Sequence, residues 1–427
     1  MPSVCDSQPG ALSLDQALER LLAGIEPVTQ VERLPLDQAP GRVLAADVLS
    51  PLDLPPFTNS AMDGYAVRAG EARPGARLRV AGTSLAGRPF TGSMGASECV
   101  RIFTGACLPG DADAVVVQED TLRQDDAVLL TIDTAIKPGA NVRYRGEELQ
   151  AGEPLLPTGT VFRPAAIGLL AVAGCRDVAV LKRLRVALIA TGDELAEPGQ
   201  PLQPGCIHES NRPVLRALLA ELGMDPLDLG VVRDDRDVLR KALLEGAQRA
   251  DVLITTGGAS VGEADYIVDL LRETGQVEFW RVAIKPGKPF VFGRLGETPV
   301  FGLPGNPVSM MVTFLQLARP ALLRRAGMAP SRPARWWVVC RTRLRKPPGR
   351  MEFQRGVLDW REGVPGVTAL REQGGHRLTS MSRANCFIVL PSACAGVEAG
   401  EMVEVEPFDG CGHVPLAATP VLGPDDS

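Results

Sequence analysis

The sequence predicts a multidomain α/β and β chain, in which a doubly wound α/β domain is joined to β-rich modules. Three observations carry this reading. From Lys182 to about residue 330, strand-like apolar runs alternate with helical periods, the pattern of parallel strands with crossover helices. On either side, from Pro51 to about Asn141 and from Trp336 to Val405, short apolar runs are separated by Gly, Pro and Asp, as in β modules. The length of 427 residues leaves room for about three domains at roughly 150 residues each.

In chain order, Ser13 to Ala23 reads as a helix, with Ser13 and Gln16 in a capping-box pattern and Leu14, Leu18, Leu21 and Leu22 on one face. The first β block has runs at Leu78–Ala81, Val100–Phe103, Ala114–Gln118 and Val128–Ile132. Thr160 to Gly174 reads as a helix after Arg163-Pro164, followed by a strand at Asp177–Leu181. The α/β block places strands at Arg185–Ala190, Leu227–Val232, Val252–Thr256, Val277–Ile284, Phe290–Phe292 and Val300–Leu303. Between them, Ser210 can cap a helix with Pro213 in its first turn and Leu215, Leu218, Leu219 and Leu222 on one face. Asp237–Arg249 and Tyr266–Glu273 read as further helices, and Val308–Arg325 as one long helix. Pro330–Pro333 reads as a linker. Beyond it Trp336–Arg341, Gly356–Leu358, Cys386–Leu390 and Met402–Val405 form a small β domain, and the tail from Gly410 reads as poorly ordered.

Composition excludes several chemistries. A net charge of −6 argues against nucleic acid held on a broad basic face, and 4% aromatic residues argue against stacking on single strands. The nine cysteines form no C-x-x-C pair, which removes zinc ribbons, iron–sulfur runs and thioredoxin-like motifs. Three histidines are too few for a His-rich metal site, and no G-x-S-x-G elbow occurs. The odd cysteine count, the lack of a signal-like N-terminus and the lack of a membrane-length apolar run predict a cytoplasmic protein with reduced thiols. Chemistry here must rest on carboxylates, Lys and Arg, hydroxyls and backbone.

Several segments offer such chemistry. Thr255 to Asp265 (TTGGASVGEAD) follows a buried strand and precedes a helix, so Gly257 and Gly258 can turn their N–H groups toward an anion. Asp265 would repel a phosphate there unless a divalent cation lay between; a tight turn with Asp265 as helix cap is the equally weighted alternative. Lys285 and Lys288, two of only six lysines, stand on a Pro-stiffened turn and suit point-charge contact with phosphate, or simply face solvent. Gly302 to Ser309 (GLPGNPVS) links a strand to a helix start and offers a second anion site, or ordinary capping. Asp193 and Glu194 end a buried strand and can hold Mg²⁺ or act as a base, although a solvated turn is the simpler reading. The polar segment Pro56–Ala66, Thr104-Gly105-Ala106 and the charged run Arg143–Glu148 each read singly as loops.

Taken in order, NSAMDGYAVR, RIFTG, RGEE, ATGDEL, TTGGASVGEADY, IKPGKP, GLPGNPVS and SMSRANCFIVLP resemble the molybdopterin molybdenumtransferase family, which includes the C-terminal half of gephyrin. The resemblance runs from about residue 12 to 408. It implies four domains in an elongated homodimer. Residues 11–50 with 145–181 would form a discontinuous dimerising domain, 51–144 an inserted β-rich domain, 182–330 the molybdopterin-binding α/β domain and 334–408 a C-terminal β domain. The active cleft would lie between the α/β domain of one subunit and the β-rich domain of the other. The implied reaction takes adenylylated molybdopterin and molybdate, inserts molybdenum at the dithiolene sulfurs and releases AMP with Mg²⁺.

By motif position, the resemblance implies catalytic roles for Asp63, Thr104, Glu194, Asp234 and Asp265. It implies substrate binding by Ser60, Gly257, Gly258, Ser260, Lys285, Lys288, Pro304, Gly305 and Asn306. The metal would be held by Glu194, Asp234, Asp265 and Glu148. Thr58 and Glu148 stand where the family usually has Asp, and Ala259 where Val is common. A separate molybdopterin adenylyltransferase would supply the substrate, acceptor molybdoenzymes would take the product, and neither nucleic acid nor membrane is expected as a partner. Adenylyl transfer is disfavoured by G-G-A-S in place of a G-G-T-G loop, and a non-catalytic scaffold by the retained carboxylates and lysines. No residue separates molybdate from tungstate.

Overall fold

The computed structural model describes residues 11–257 and 266–408. One compact unit is Glu32–Val180; the other joins the residues up to Val31 to those from Leu181 onward. The tail expected to be poorly ordered, from Gly410, lies outside the described residues.

Local sequence sets the helices. Ser13 and Gln16 form the reciprocal capping box of α1 (Leu14–Ala23), with bonds of 3.0 and 3.2 Å. Pro164 opens α2 (Pro164–Val172) at a position where no N–H is needed. At α3 (Asn211–Glu221) the expected Ser210 cap is not made. Glu209, one residue earlier, accepts the N–H groups of Asn211 (2.5 Å) and Arg212 (3.1 Å) instead. Asp235 caps α4 (Arg236–Arg249) through Asp237 and Val238, and α5 spans Tyr266–Thr274. The long helix expected over Val308–Arg325 is interrupted. A wide turn at Phe314–Ala318 separates α6 (Pro307–Thr313) from α7 (Arg319–Arg325). Pro320 has no N–H for the Gln316 carbonyl, and the Gln316 side chain is held by buried Glu406, so regular winding gives way there. A short α8 spans Leu378–Arg383. Among the described residues no helix is long and apolar enough to cross a membrane.

The second unit is built on one six-stranded sheet: β1 (Arg185–Thr191), β2 (Asp225–Val232), β3 (Val252–Thr256), β4 (Gln276–Arg281), β5 (Pro289–Leu295) and β6 (Thr298–Leu303), in the order β2-β1-β3-β6-β5-β4. The first four in that order are parallel. The expectation of a parallel sheet fails at β5, which runs antiparallel to both of its neighbours, β4 and β6, because Gly296-Glu297 returns it directly into β6. Alternate side chains serve opposite faces. Val186, Leu188, Val252, Ile254, Phe301 and Leu303 meet α1, α3, α6 and α7, whereas Ala187, Ile189, Leu253 and Val300 meet α4 and α5. Helices on both faces make the sheet doubly wound. Residues 11–31, expected with the dimerising segment, belong here: Leu14, Leu18, Leu21 and Ile25 bury their apolar stripe in this core, and Val28 N–H bonds the Arg325 carbonyl at 2.8 Å.

The C-terminal strands Trp336–Cys340, Met351–Arg361, Val364–Ala369, Cys386–Leu390 and Met402–Pro407 close into a five-stranded barrel, since Met351–Arg361 pairs with both Val364–Ala369 and Cys386–Leu390. The expected Val277–Ile284 strand is split. Ile284–Lys285 leaves the α/β sheet and pairs with Met351–Glu352 of the barrel.

In the Glu32–Val180 unit, a six-stranded sheet of Ala114–Val117, Gly64–Val67, Glu98–Ile102, Arg77–Ser84, Ala127–Leu130 and Thr121–Gln124 is covered on both faces by apolar cores. A separate core gathers Leu34, Leu44 and Leu54 with Leu155, Phe162, Leu170 and Val180, drawing two distant segments around one centre.

Candidate active site

Because β2, β1, β3 and β6 are parallel, their carboxyl ends share one edge, where open α/β sheets bind ligands. Asp234 follows β2, Asp193 and Glu194 follow β1, Gly257 follows β3, and Pro304, Gly305 and Asn306 follow β6. The acidic turns touch: Asp234 N–H donates to the Asp193 carboxylate at 3.3 Å, and Gly192 N–H to the Val232 carbonyl at 3.4 Å. Desolvation first, then the charges of Asp193 and Glu194, push the Asp234 carboxyl above its usual value. No group of three His, Cys, Asp or Glu side chains among the described residues is arranged to hold a metal ion unaided.

The glycine turns meet on the same edge. Gly257 has φ +85°, and a Cβ there would run into the Thr191 carbonyl oxygen. A Cβ on Gly305 would stand 3.6 Å from the Gly257 Cα, in ordinary contact. Pro304 is buried beneath the turn, while Gly305 and Asn306 are exposed. Gly258, Ser260 and Asp265 lie outside the described residues.

Lys285 is half-exposed and pairs at 3.0 Å with Glu352, whose side chain is 6% exposed. Lys288 makes no side-chain bond among the described residues. Their turn rests on α6: a Cβ on Gly287 would press on Thr313 at 2.7 Å and the Ser309 carbonyl at 3.3 Å. The anion site expected at the start of α6 is filled otherwise. Pro307 has no N–H, Val308 N–H is taken by the Gly375 carbonyl at 3.0 Å, and Asn306 makes no capping bond. A barrel loop therefore closes that helix start and leaves the Gly305-Asn306 turn as the open surface.

In the Glu32–Val180 unit, Asp63 and Thr104 meet. One Asp63 carboxylate oxygen accepts both the Thr104 N–H and its hydroxyl, each at 2.8 Å. Those two bonds hold the Asp63 carboxyl below the usual carboxylate range, with Arg101 adding to the effect. Ser60 is fully buried. Its hydroxyl donates to the Met62 carbonyl at 2.6 Å, so the side chain proposed to bind substrate shapes the loop. Asn59–Ser60 pairs with Val142–Arg143, placing the two polar motifs side by side, and Thr58 Oγ1 accepts the Arg145 N–H at 3.2 Å. Glu148 is exposed; its backbone N–H bonds Leu54, and its carboxylate has no partner among the described residues.

Comparison with known proteins decides the family. Three family models match in succession: the MoeA N-terminal region (domain I and II) over residues 12–174, a probable molybdopterin-binding domain over 187–324 and the MoeA C-terminal region (domain IV) over 338–408. A molybdopterin molybdenumtransferase of Haemophilus influenzae is 41% identical over 93% of this chain and 99% of its own length. The chain belongs to the molybdopterin molybdenumtransferase family. Another relative of that name, from Nostoc, is 34% identical over 95% of this chain and 93% of its own. The crystal structure of a molybdopterin biosynthesis MoeA protein from Pyrococcus horikoshii superposes with a TM-score of 0.81 at 28% identity, covering 93% of this chain and all of that one.

Within this molybdenumtransferase fold, sequence reasoning missed four residues that hold the edge in place. Buried Glu352 partners Lys285. Fully buried Arg355 binds the Ser380 hydroxyl at 2.9 Å and the carbonyls of Glu372 (2.9 Å) and Gly374 (3.1 Å), anchoring the loop that caps α6. Burial pushes its guanidinium pKa down, and Glu352 opposes this. Asn211 and Arg212 join the strand ends from beneath. A signal existed for Arg212: a cation in the first turn of a helix opposes the macrodipole and calls for buried carboxylates nearby.

Proposed function

We propose that this protein is a molybdenum-inserting enzyme that takes adenylylated molybdopterin and molybdate, forms the molybdenum cofactor and releases AMP. In a chain of this family, the observation that carries the reading is the meeting of Asp193, Glu194 and Asp234 with the Gly257 and Gly305 turns on one edge of the parallel sheet. Glycine turns admit linked phosphates close to backbone, and acidic side chains need a cation to share that space.

Mg²⁺ fits these residues. It is commonly held by one or two carboxylates with water and substrate phosphates, so no preformed cage is required. Glu194 and Asp234 would hold it, with Asp265 as a third candidate. When bound, Mg²⁺ supplies charge compensation at phosphate oxygens. The chain's own residues do the rest. Gly257 and Gly305 admit the phosphates, Lys288 and the Glu352-paired Lys285 offer positive charge, and the Asp63-fixed Thr104 hydroxyl presents its oxygen at a defined place. In the reaction a water oxygen bonds to the adenylyl phosphorus as the phosphoanhydride P–O bond breaks, so AMP leaves. Two Mo–S bonds form at the dithiolene as one Mo–O bond breaks, and the two S–H protons leave with that oxygen as water.

A homodimer is part of the proposal. α2 is apolar throughout, yet Ala165, Gly168 and Val172 stay exposed, with Val172 61% accessible. The seven described cysteines are free, as suits a reducing cytoplasm. A separate adenylyltransferase is proposed as supplier and molybdenum-free apoenzymes as acceptors. The test supplies purified protein with adenylylated molybdopterin, Mg²⁺ and molybdate. Molybdate-dependent AMP release with reconstitution of an apoenzyme is expected; tight pterin binding without AMP release would make the protein a carrier.

A further inference from the structure

Asn211 occupies the first turn of α3 and is 6% exposed. Its amide nitrogen donates two bonds, to the Thr256 hydroxyl at 2.9 Å and to the Gly305 carbonyl at 2.7 Å. Only the NH₂ end can face a carbonyl, so the orientation of the amide is fixed by chemistry. Thr256 is the last residue of β3 and Gly305 follows β6, which is the neighbouring strand. One side chain therefore ties together the two turns that carry Gly257 and Gly305.

Asn211 is itself held. Glu209, 3% exposed, accepts the Asn211 N–H at 2.5 Å and that of Arg212 at 3.1 Å. The Arg212 guanidinium lies among three carboxylates: Asp228 and Glu197 at 2.5 Å each, and Glu209 at 3.2 Å. Asp228 belongs to β2, the strand that ends at Asp234, and Glu197 follows the Glu194 turn. One buried cation thus ties β2 and the segment after the Glu194 turn to the start of α3, beside Asn211. The arrangement is not the one stability alone favours. Among the described residues the Asn211 carbonyl oxygen is buried with no partner, as are the hydroxyls of Thr191 and Thr255.

We propose that Asn211, locked by Glu209 and Arg212, is a positioning residue that sets the spacing of the Gly257 and Gly305 turns for the phosphate-bearing substrate. The substrate part rests on the function proposed above; the spacing part does not. The test therefore has two readouts on the full-length protein. The first is hydrogen exchange at the two turns. In Asn211→Ala, amides at 255–257 and 303–308 are expected to exchange at least about tenfold faster, while those of the barrel strands keep their rates. The second is steady-state kinetics per folded protein, where KM for adenylylated molybdopterin is expected to rise about tenfold or more with a much smaller change in kcat.

Asn211→Asp separates donor loss from lost volume. Ionised, it only accepts; protonated, it regains one O–H donor, so its defect should lessen as pH falls, which the Ala variant's should not. Should Asn211→Ala fail to fold, Thr256→Val removes one of the two bonds at nearly constant volume and should give a smaller change of the same kind. Unchanged exchange at both turns in a folded variant overturns the positioning role. Faster exchange with unchanged KM keeps the clamp and overturns its link to substrate. Faster exchange in a protein that releases no AMP keeps the clamp and sinks the proposed function instead.

Discussion

The Thr104 hydroxyl and backbone N–H converge on a single oxygen of Asp63, both at 2.8 Å. The hydroxyl is thereby aimed by a carboxylate that accepts no other hydrogen bond among the described residues. Thr104→Val should lower kcat by about 10²-fold, as loss of an aimed polar group typically does, with Thr104→Ser largely restoring it. The pair also has an acid signature. Asp63's folded pKa is depressed, so its contribution to stability is present above the unfolded carboxylate value near pH 4 and is lost as pH falls through the lower folded value. Thermal melts between about pH 2 and 5 should show less acid sensitivity in Thr104→Val than in the parent.

Gly257 and Gly305 face each other but tolerate change differently. At Gly257 a side chain meets both a positive φ and the Thr191 carbonyl, so Gly257→Ala should cost about 1–3 kcal/mol in chemical denaturation. Gly305→Ala meets only ordinary contact and should leave the melting temperature nearly unchanged. Its methyl would instead stand where the ligand approaches, so KM should rise. Equal destabilisation by both substitutions would show that the Gly305 turn is packed for structure and not left open for a ligand.

Much of this edge was legible in the chain because its parts are local. Val252–Thr256 followed by Gly257, and Arg185–Thr191 followed by Asp193 and Glu194, state a buried strand and its functional turn within a few residues. The capping box of Ser13 was equally local. What escaped depends on distant partners. Glu352 reads as one more polar residue until Lys285, 67 positions earlier, is found beside it. The long-helix reading of Val308–Arg325 followed its apolar period, yet Pro320 and the Gln316–Glu406 contact, 90 positions apart, decide its course. Apolar periodicity does not say which core claims a segment, so α1 was assigned to the dimerising part although its leucines face the α/β sheet. Asn211 and Arg212 escaped because a polar pair at a helix start usually faces water.

The Lys285–Glu352 pair predicts two separable effects. Lys285→Met strands a buried carboxylate; with the lysine end half-exposed, the cost should be about 1–2 kcal/mol, below that of a fully buried pair. Adding Glu352→Gln should restore most of that stability, because the neutral amide keeps a bonding partner in Gln354. Activity should stay low in the double variant if Lys285 also meets phosphate. Recovery of both stability and turnover would reduce the lysine to a counter-ion for Glu352.

Asp234 should behave in the opposite sense to Asp63. Its folded pKa is raised, by desolvation and by Asp193 and Glu194, so the folded state binds the proton more tightly than the unfolded one. Stability therefore declines as pH rises from the unfolded carboxylate value through the raised folded value, and the penalty persists above it. Asp234→Asn removes that penalty. At neutral pH the variant should melt no lower than the parent, with any gain kept small because the Asp234 carboxyl is exposed and solvent screens its neighbours. Turnover should nevertheless fall about 10²-fold, because the same crowding of carboxylates that weakens the fold is what attracts a cation. Mg²⁺ should raise the melting temperature of the parent more than that of Asp234→Asn, since an ion that binds only the folded state stabilises by mass action. An equal Mg²⁺ response in both proteins would place the ion away from Asp234, and the acidic turns would then have to be explained without it.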